Sequence, residues 1–269
     1  MRSLLRFAGL TLLLLAAAVR AEPLNCTFIT GVPFTITTPG NYCLDGSFSY
    51  VGVAIDVTVD DVVVDFNGRT LDGVKGAGVG VRAQDRKNVT VRNGTVRNFS
   101  EGLSLGGTDS EGLIVERMHA VGNSFAGISV QGRGSVVRNN VLIGNCNSPS
   151  PGPRWSISII GSGSYVADNE VIDTALGITS GEVDGIRVAF APRATIERNV
   201  ISNASASSSF SRGILFLNSA GASAVANHVY GFVFGLQLEP GALYKDNTVQ
   251  GASTPFSSGT AAGTTNFSY

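Results

Sequence analysis

The residues best suited to chemistry fall in one short run, Glu182-Val183-Asp184-Gly185-Ile186-Arg187. Read as a strand, that run puts Asp184 at its start and Arg187 at its outward middle. A polysaccharide lyase needs a base for the proton alpha to a uronate carboxylate, and a cation to neutralise that carboxylate. Arg187 suits the second role, and would suit the first only with a severely lowered pKa. A glycoside hydrolase needs two carboxylates at a defined separation, and Asp184 with Glu239 or Glu101 is the available pairing. The same Asp184 and Arg187 also read as an ion pair on the rim of a sheet, so catalysis stays open at this level.

Around that run lies a row of polar residues at matching strand positions: Arg82, Ser104, Ser129 with Gln131, Ser158, and Gln237 with Glu239. Such a row would form a hydrogen-bonding strip for sugar hydroxyls, and its small side chains would admit something flat. Solvent-facing strand positions are polar in any case, and that reading stays open too. Trp155, the one tryptophan, reads as a sugar-stacking platform or as the anchor of the proline-containing insertion before it. Asp60, Asp61 and Asp65 carry oxygen ligands of the kind Ca²⁺ takes, but solvated charges are the simpler reading. His119 and His228 read as structural. No metal site and no cofactor are expected.

The elements that must position these residues repeat about every 20 to 30 residues. One half of the repeat is a Gly-apolar-x-apolar strand, seen at Gly78, Gly102, Gly127, Gly185, Gly213 and Gly235, with Ser156-Ile157-Ser158-Ile159 filling the gap. The other half is an apolar-x-x-Asn-x-Val unit at Asn140, Asn169, Asn199, Asn227 and Asn247, with Asn67, Gly94 and Met118 in the same register. Apolar positions alternate with period two in runs of three to five residues, which excludes an amphipathic helix. Self-similarity at this period, with uneven spacing between copies, is the mark of a solenoid with loops inserted on one side. About eight coils stacked at about 4.8 Å would give an all-β rod near 40 Å long. Like residues would then form ladders, valine on valine inside and asparagine on asparagine at a left-handed turn.

These units, with Asp65-Phe66-Asn67-Gly68-Arg69-Thr70-Leu71-Asp72-Gly73 ahead of them, resemble the right-handed parallel β-helix superfamily, the pectin-lyase-like fold. The resemblance covers about residues 50–251 and implies a single-stranded, right-handed parallel solenoid. It also implies a ligand lying along one elongated strand face. The superfamily hosts lyases, hydrolases, epimerases, tail-spike modules and proteins without known activity, so it implies no single reaction. The chain lacks the Asp-Asp and Gly-His-Gly of polygalacturonases, the Trp-Ile-Asp-His of pectate lyases and the Asp-Pro-His-Asp of alginate epimerases.

Arg2 and Arg6, the apolar run from Leu10 to Ala18, and Val19-Arg20-Ala21 before Glu22 read as a signal peptide over residues 1–21. The expected organisation is a capping segment at 22–50, the β-helix at 51–251 and a tail at 252–269. A secreted, periplasmic or cell-envelope protein follows, and export permits disulfides. Cys26 and Cys43 are expected to pair, stabilising by roughly 3 kcal/mol; the alternative leaves all three cysteines reduced, and Cys146 is odd in either case. With 19 Lys and Arg against 20 Asp and Glu, the chain has no concentrated basic face for nucleic acid, and no later stretch spans a membrane. Asparagines before Ser or Thr (Asn25, Asn88, Asn93, Asn98, Asn203 and Asn266) are explained by turn and ladder roles. The expected function is binding, and cleavage or modification if an enzyme, of an extracellular polysaccharide. The alternative is a non-catalytic envelope or adhesin-type solenoid for protein or matrix contact.

Overall fold

The computed structural model describes residues 25–74, 76–148, 152–174, 181–204, 210–262 and 265–268. The signal segment expected at 1–21 and the 149–151 part of the insertion lie outside the described residues. Those residues contain strands and no helix, and all their strand pairings are parallel. The chain is a parallel β-solenoid of about eight turns. One sheet of ten strands, here the front sheet, runs from Phe34–Ile36 to Thr254–Ser257. The remaining strands form the back and side wall of each coil. Strands of the segment before residue 50 and of the tail after 251 join these sheets, so the stack continues through both.

Stripes of like residues fill the interior. Ile55, Val81, Leu103, Ile128, Ile157, Ile186, Ile214 and Leu236 are successive partners along the front sheet, all wholly buried. Facing them, Val64, Val91, Val115, Val137, Val166, Ile196 and Ala224 form one back stripe. Each large aliphatic side chain so buried contributes about 1.5–3 kcal/mol. The two sheets close tightly at the leading glycine, which in the first copy is Gly80, opposite Gly102, and not Gly78, whose φ is +73°. A Cβ on Gly185 would lie 2.5 Å from Ile201 Cγ2 and 2.7 Å from the Gly213 carbonyl oxygen. Nothing larger than hydrogen fits there without displacing the opposite wall.

The asparagines form a continuous internal ladder. Each Oδ1 of Asn169, Asn199, Asn227 and Asn247 accepts both the backbone N–H and the side-chain N–H of the asparagine one coil earlier, at 2.9–3.1 Å. Each Nδ2 also reaches a strand carbonyl, as from Asn199 to Val166 at 3.0 Å. Met118 donates into the first rung and Asn266 accepts from the last. The left-handed residue is not the ladder asparagine but the one before it: Asn139, Asp168, Arg198, Ala226 and Asp246 have φ between 53° and 56°. The ladder asparagine is thereby free to turn its amide inward. Asn67 departs from the expected register. It is itself left-handed, at φ 52°, and matches Asn93 rather than Gly94.

Cys26 and Cys43 form a disulfide, and Cys146 is a buried thiol. Asn88, Asn93 and Asn98 donate through Nδ2 to Asp61, Asp65 and Asp72 of the previous coil, at 2.8, 2.9 and 2.8 Å. Asp60 accepts the Lys87 backbone N–H, and Asp65 also accepts from Arg92. These carboxylates tie turns together.

Candidate functional site

Front-sheet register sorts the outward residues into three columns. The first holds Glu101, Ala126, Trp155, Asp184 and Arg212; the second Asp56, Arg82, Ser104, Ser129, Ser158, Arg187, Leu215 and Gln237; the third Gly106, Gln131, Ile160 and Ala189. A groove of about 240 Å³ lies across the strands Glu101–Glu111, Ala126–Arg133 and Arg154–Ile160. Ser104, Ser129 and Ser158 line it in a row, one strand spacing of about 4.8 Å apart. Glu101, Phe125 and Trp155 stand on one side, and Gly106, Gly107, Gln131 and Ile160 on the other. The serines follow from strand alternation: Leu103 and Leu105, Ile128 and Val130, Ile157 and Ile159 point into the core on either side of each.

Trp155 is held by three neighbours. Its indole N–H donates to Ser129 Oγ at 2.9 Å. Phe125 meets it edge to face, with ring centres 5.1 Å apart and planes at 72°. Arg187 lies over the ring with its guanidinium carbon 4.7 Å from the centroid, a cation–π contact. Arg187 makes no ion pair among the described residues.

Asp184 is fully buried. Its Oδ1 accepts from Arg212 Nε at 2.6 Å, and Arg212 Nη2 donates to Glu182 at 2.7 Å. Asp184 Oδ2 has no hydrogen-bond partner among the described residues. Burial pushes the Asp184 carboxyl up to about 6, against the pull of Arg212 and Arg187. Asp184 therefore binds Arg212 rather than forming a rim pair with Arg187, and it has no open side toward the groove. Glu101 stands three strand spacings from Asp184 by register, ~14 Å, beyond the separation of a glycosidase carboxylate pair. Glu239 accepts the backbone N–H groups of Asn218 and Ser219 and serves as a turn clamp.

Of the residues expected from sequence, the fold brings Ser104, Ser129, Gln131 and Ser158 together in one groove, with Arg187 reaching it through Trp155. It sets Arg82 on the next rung, engaged by both carboxylate oxygens of Asp56 at 3.0 and 2.7 Å. It separates Gln237 from the row by Leu215, which is 2% exposed. Phe125 and Gln84 were not anticipated. Phe125 stands one place before Ala126, the register partner of Trp155, so its only signal was an aromatic close to the leading glycine. Gln84 has no such signal.

A family model described as the right handed beta helix region matches residues 46–238. No curated protein matches in sequence. Among solved structures, the chain is similar to a DFA-IIIase from Arthrobacter chlorophenolicus in complex with GF2, with a TM-score of 0.51 and 11% identity over 81% of this chain. It is similar also to the Dettilon tailspike protein, with a TM-score of 0.53 and 13% identity over 82% of this chain. The matches span 66% and 54% of those two chains. At such identities the likeness is one of fold.

Proposed function

The chain belongs to the right-handed β-helix family, and on that premise we propose that its front-sheet groove binds a carbohydrate chain. The observation that carries the reading is the row of Ser104, Ser129 and Ser158 beside the fixed ring of Trp155. A sugar ring has an apolar face and an equatorial rim of hydroxyls. Trp155 and Phe125 offer the apolar wall, while Ser104 and Ser129 with Gln131 and Gln84 offer donors and acceptors and Ser158, 2% exposed, closes the floor of the row. Arg187, which makes no ion pair among the described residues, adds a place for a sugar acid. The DFA-IIIase to which the fold is similar is in complex with GF2.

Binding is better supported than cleavage. Glu101 is the one carboxylate among the lining residues, and Asp184 is turned into a buried pair with Arg212. The Cys26–Cys43 disulfide fits an oxidising compartment outside the cytosol. Glycan-array binding, followed by titration of Trp155 emission with the positive glycans, tests the reading. A glycan that binds and changes the emission supports it; no binding across neutral and acidic glycans sinks it.

One observation favours contact with a protein or matrix as a second reading. Ile143, Val200, Tyr230 and Leu243 are 38–48% exposed on the back and side wall. Of these, Ile143 and Tyr230 share one register column with Ile172, interrupted by Ser202, and apolar surface gathered on one face marks a contact where scattered single residues do not. Charged substitutions at Ile143 and Val200 that abolish co-sedimentation with envelope material, and spare glycan binding, would favour this second role.

A further inference from the structure

We propose that the bound carbohydrate runs along the strands rather than down the solenoid axis, passing from Trp155 into a second cavity beside Arg133. The inference rests on the groove being a carbohydrate site. The second cavity, of about 230 Å³, adjoins the first and shares Gly107, Gln131 and Ile160 with it. A bulge builds it. Pairing between neighbouring front strands stops after Gly106 opposite Gln131 and resumes at Glu111 opposite Arg133. Gly107, Thr108, Asp109 and Ser110 therefore stand against Gly132 alone, and the surplus must rise off the sheet. Gly107 permits this, because a Cβ there would lie 2.0 Å from Asp85 Oδ1. The raised segment walls the cavity.

Two observations mark that space as a place for a ligand. Ser110 lines it, is 1% exposed, and its hydroxyl has no hydrogen-bond partner among the described residues. A buried hydroxyl so placed is costly until something satisfies it. Arg133, in an exposed pair with Glu111 at 2.8 Å, closes the far end. The axial path offers less in either direction. Toward the N-terminal end the row meets Arg82, locked to Asp56; toward the C-terminal end it meets Arg187 on Trp155 and then buried Leu215. From Ala126, beside Trp155, to Arg133 the strand extends roughly 23 Å at about 3.3 Å per residue, enough for several sugar units.

The test is calorimetry on the full chain with two probe series, galacturonate and glucose oligosaccharides, each as disaccharide and hexasaccharide. Lengthening the probe should tighten binding at least tenfold. Arg133→Ala, at an exposed position that folding tolerates, and Ser110→Ala should each bring the hexasaccharide down to the affinity of the disaccharide. Gln237→Ala, on the axial path, should keep the gain. A disaccharide that binds with no benefit from length overturns this inference alone, as does a gain that survives both cavity variants or disappears in Gln237→Ala. If neither series nor any array glycan binds, the groove reading itself fails and this inference with it.

Discussion

The indole N–H of Trp155 donates to the Ser129 hydroxyl across 2.9 Å, tying a ring of one coil to the groove lining of the coil before. Ser129 Oγ thus spends acceptor capacity within the protein, and its own O–H remains to donate into the groove. Trp155 cannot turn away from the groove without breaking this bond, the Phe125 contact and the Arg187 stack.

Ser129→Ala therefore has two expected effects. It removes the partner of the indole N–H, so the emission of the one tryptophan shifts in the free protein. It also removes a donor to the ligand, weakening glycan binding about tenfold, as loss of one hydrogen bond of about 1.4 kcal/mol implies. Unchanged affinity beside a shifted emission would place Ser129 in the scaffold and not in the site.

The buried Asp184 makes stability depend on pH. Its folded carboxyl holds a proton up to about pH 6, whereas an unfolded aspartate releases it at about 3.9. Between those values the folded state binds more protons than the unfolded, so this group's contribution falls as pH rises and is flat on either side. Two units correspond to about 3 kcal/mol. Urea unfolding of the wild type and Asp184→Asn from pH 4 to 7 should show their difference shrinking by about that amount across the window. A difference that stays level would mean Asp184 is not held in its protonated form.

Asn199 sits at the centre of the ladder. Asn199→Ala leaves the backbone N–H and Nδ2 of Asn169 without their shared acceptor, and the carbonyl of Val166 without its donor. Each stranded buried group costs about 1–3 kcal/mol, so a loss of several kcal/mol is expected in chemical denaturation. Asn266→Ala, at the half-exposed last rung, should cost about 1 kcal/mol. Equal costs at the two sites would refute a continuous ladder.

Gly185→Ala should destabilise by about 1–3 kcal/mol, since its Cβ would press on Ile201 and on the Gly213 carbonyl. Gly134→Ala, where a Cβ meets nothing within 4 Å but φ is +60°, separates backbone strain from packing. Thermal unfolding of the two variants distinguishes them: trimming the facing wall with Ile201→Ala should recover part of the loss at Gly185 and none at Gly134.

The solenoid was legible because each of its rules is local. A Gly-led run with alternating Leu, Ile and Val can bury only one face, and repeating it many times leaves stacking as the way to bury all the copies. The serine row was legible for the same reason, since alternation between buried neighbours tells which residue faces out. The Cys26–Cys43 disulfide was within reach of the chain order. Which residue of the Asn turn is left-handed was not, because Asn139 and Asn140 are alike in type and differ only in which one turns inward.

What the sequence by itself determined about this protein is the stack: the period, the inward stripes and the outward row. The tertiary structure alone decided where that row borders a groove. Asp184 and Arg187 looked like a pair by spacing, yet Asp184 is drawn to Arg212, 28 residues later, because stacking brings that cation within 2.6 Å in a place that water does not reach. Arg187 goes instead to Trp155, and the bulge at Gly107–Ser110 walls a second cavity beside the groove. Those choices depend on which side chains of neighbouring coils meet, a relation between residues 20 to 30 positions apart that no local pattern carries.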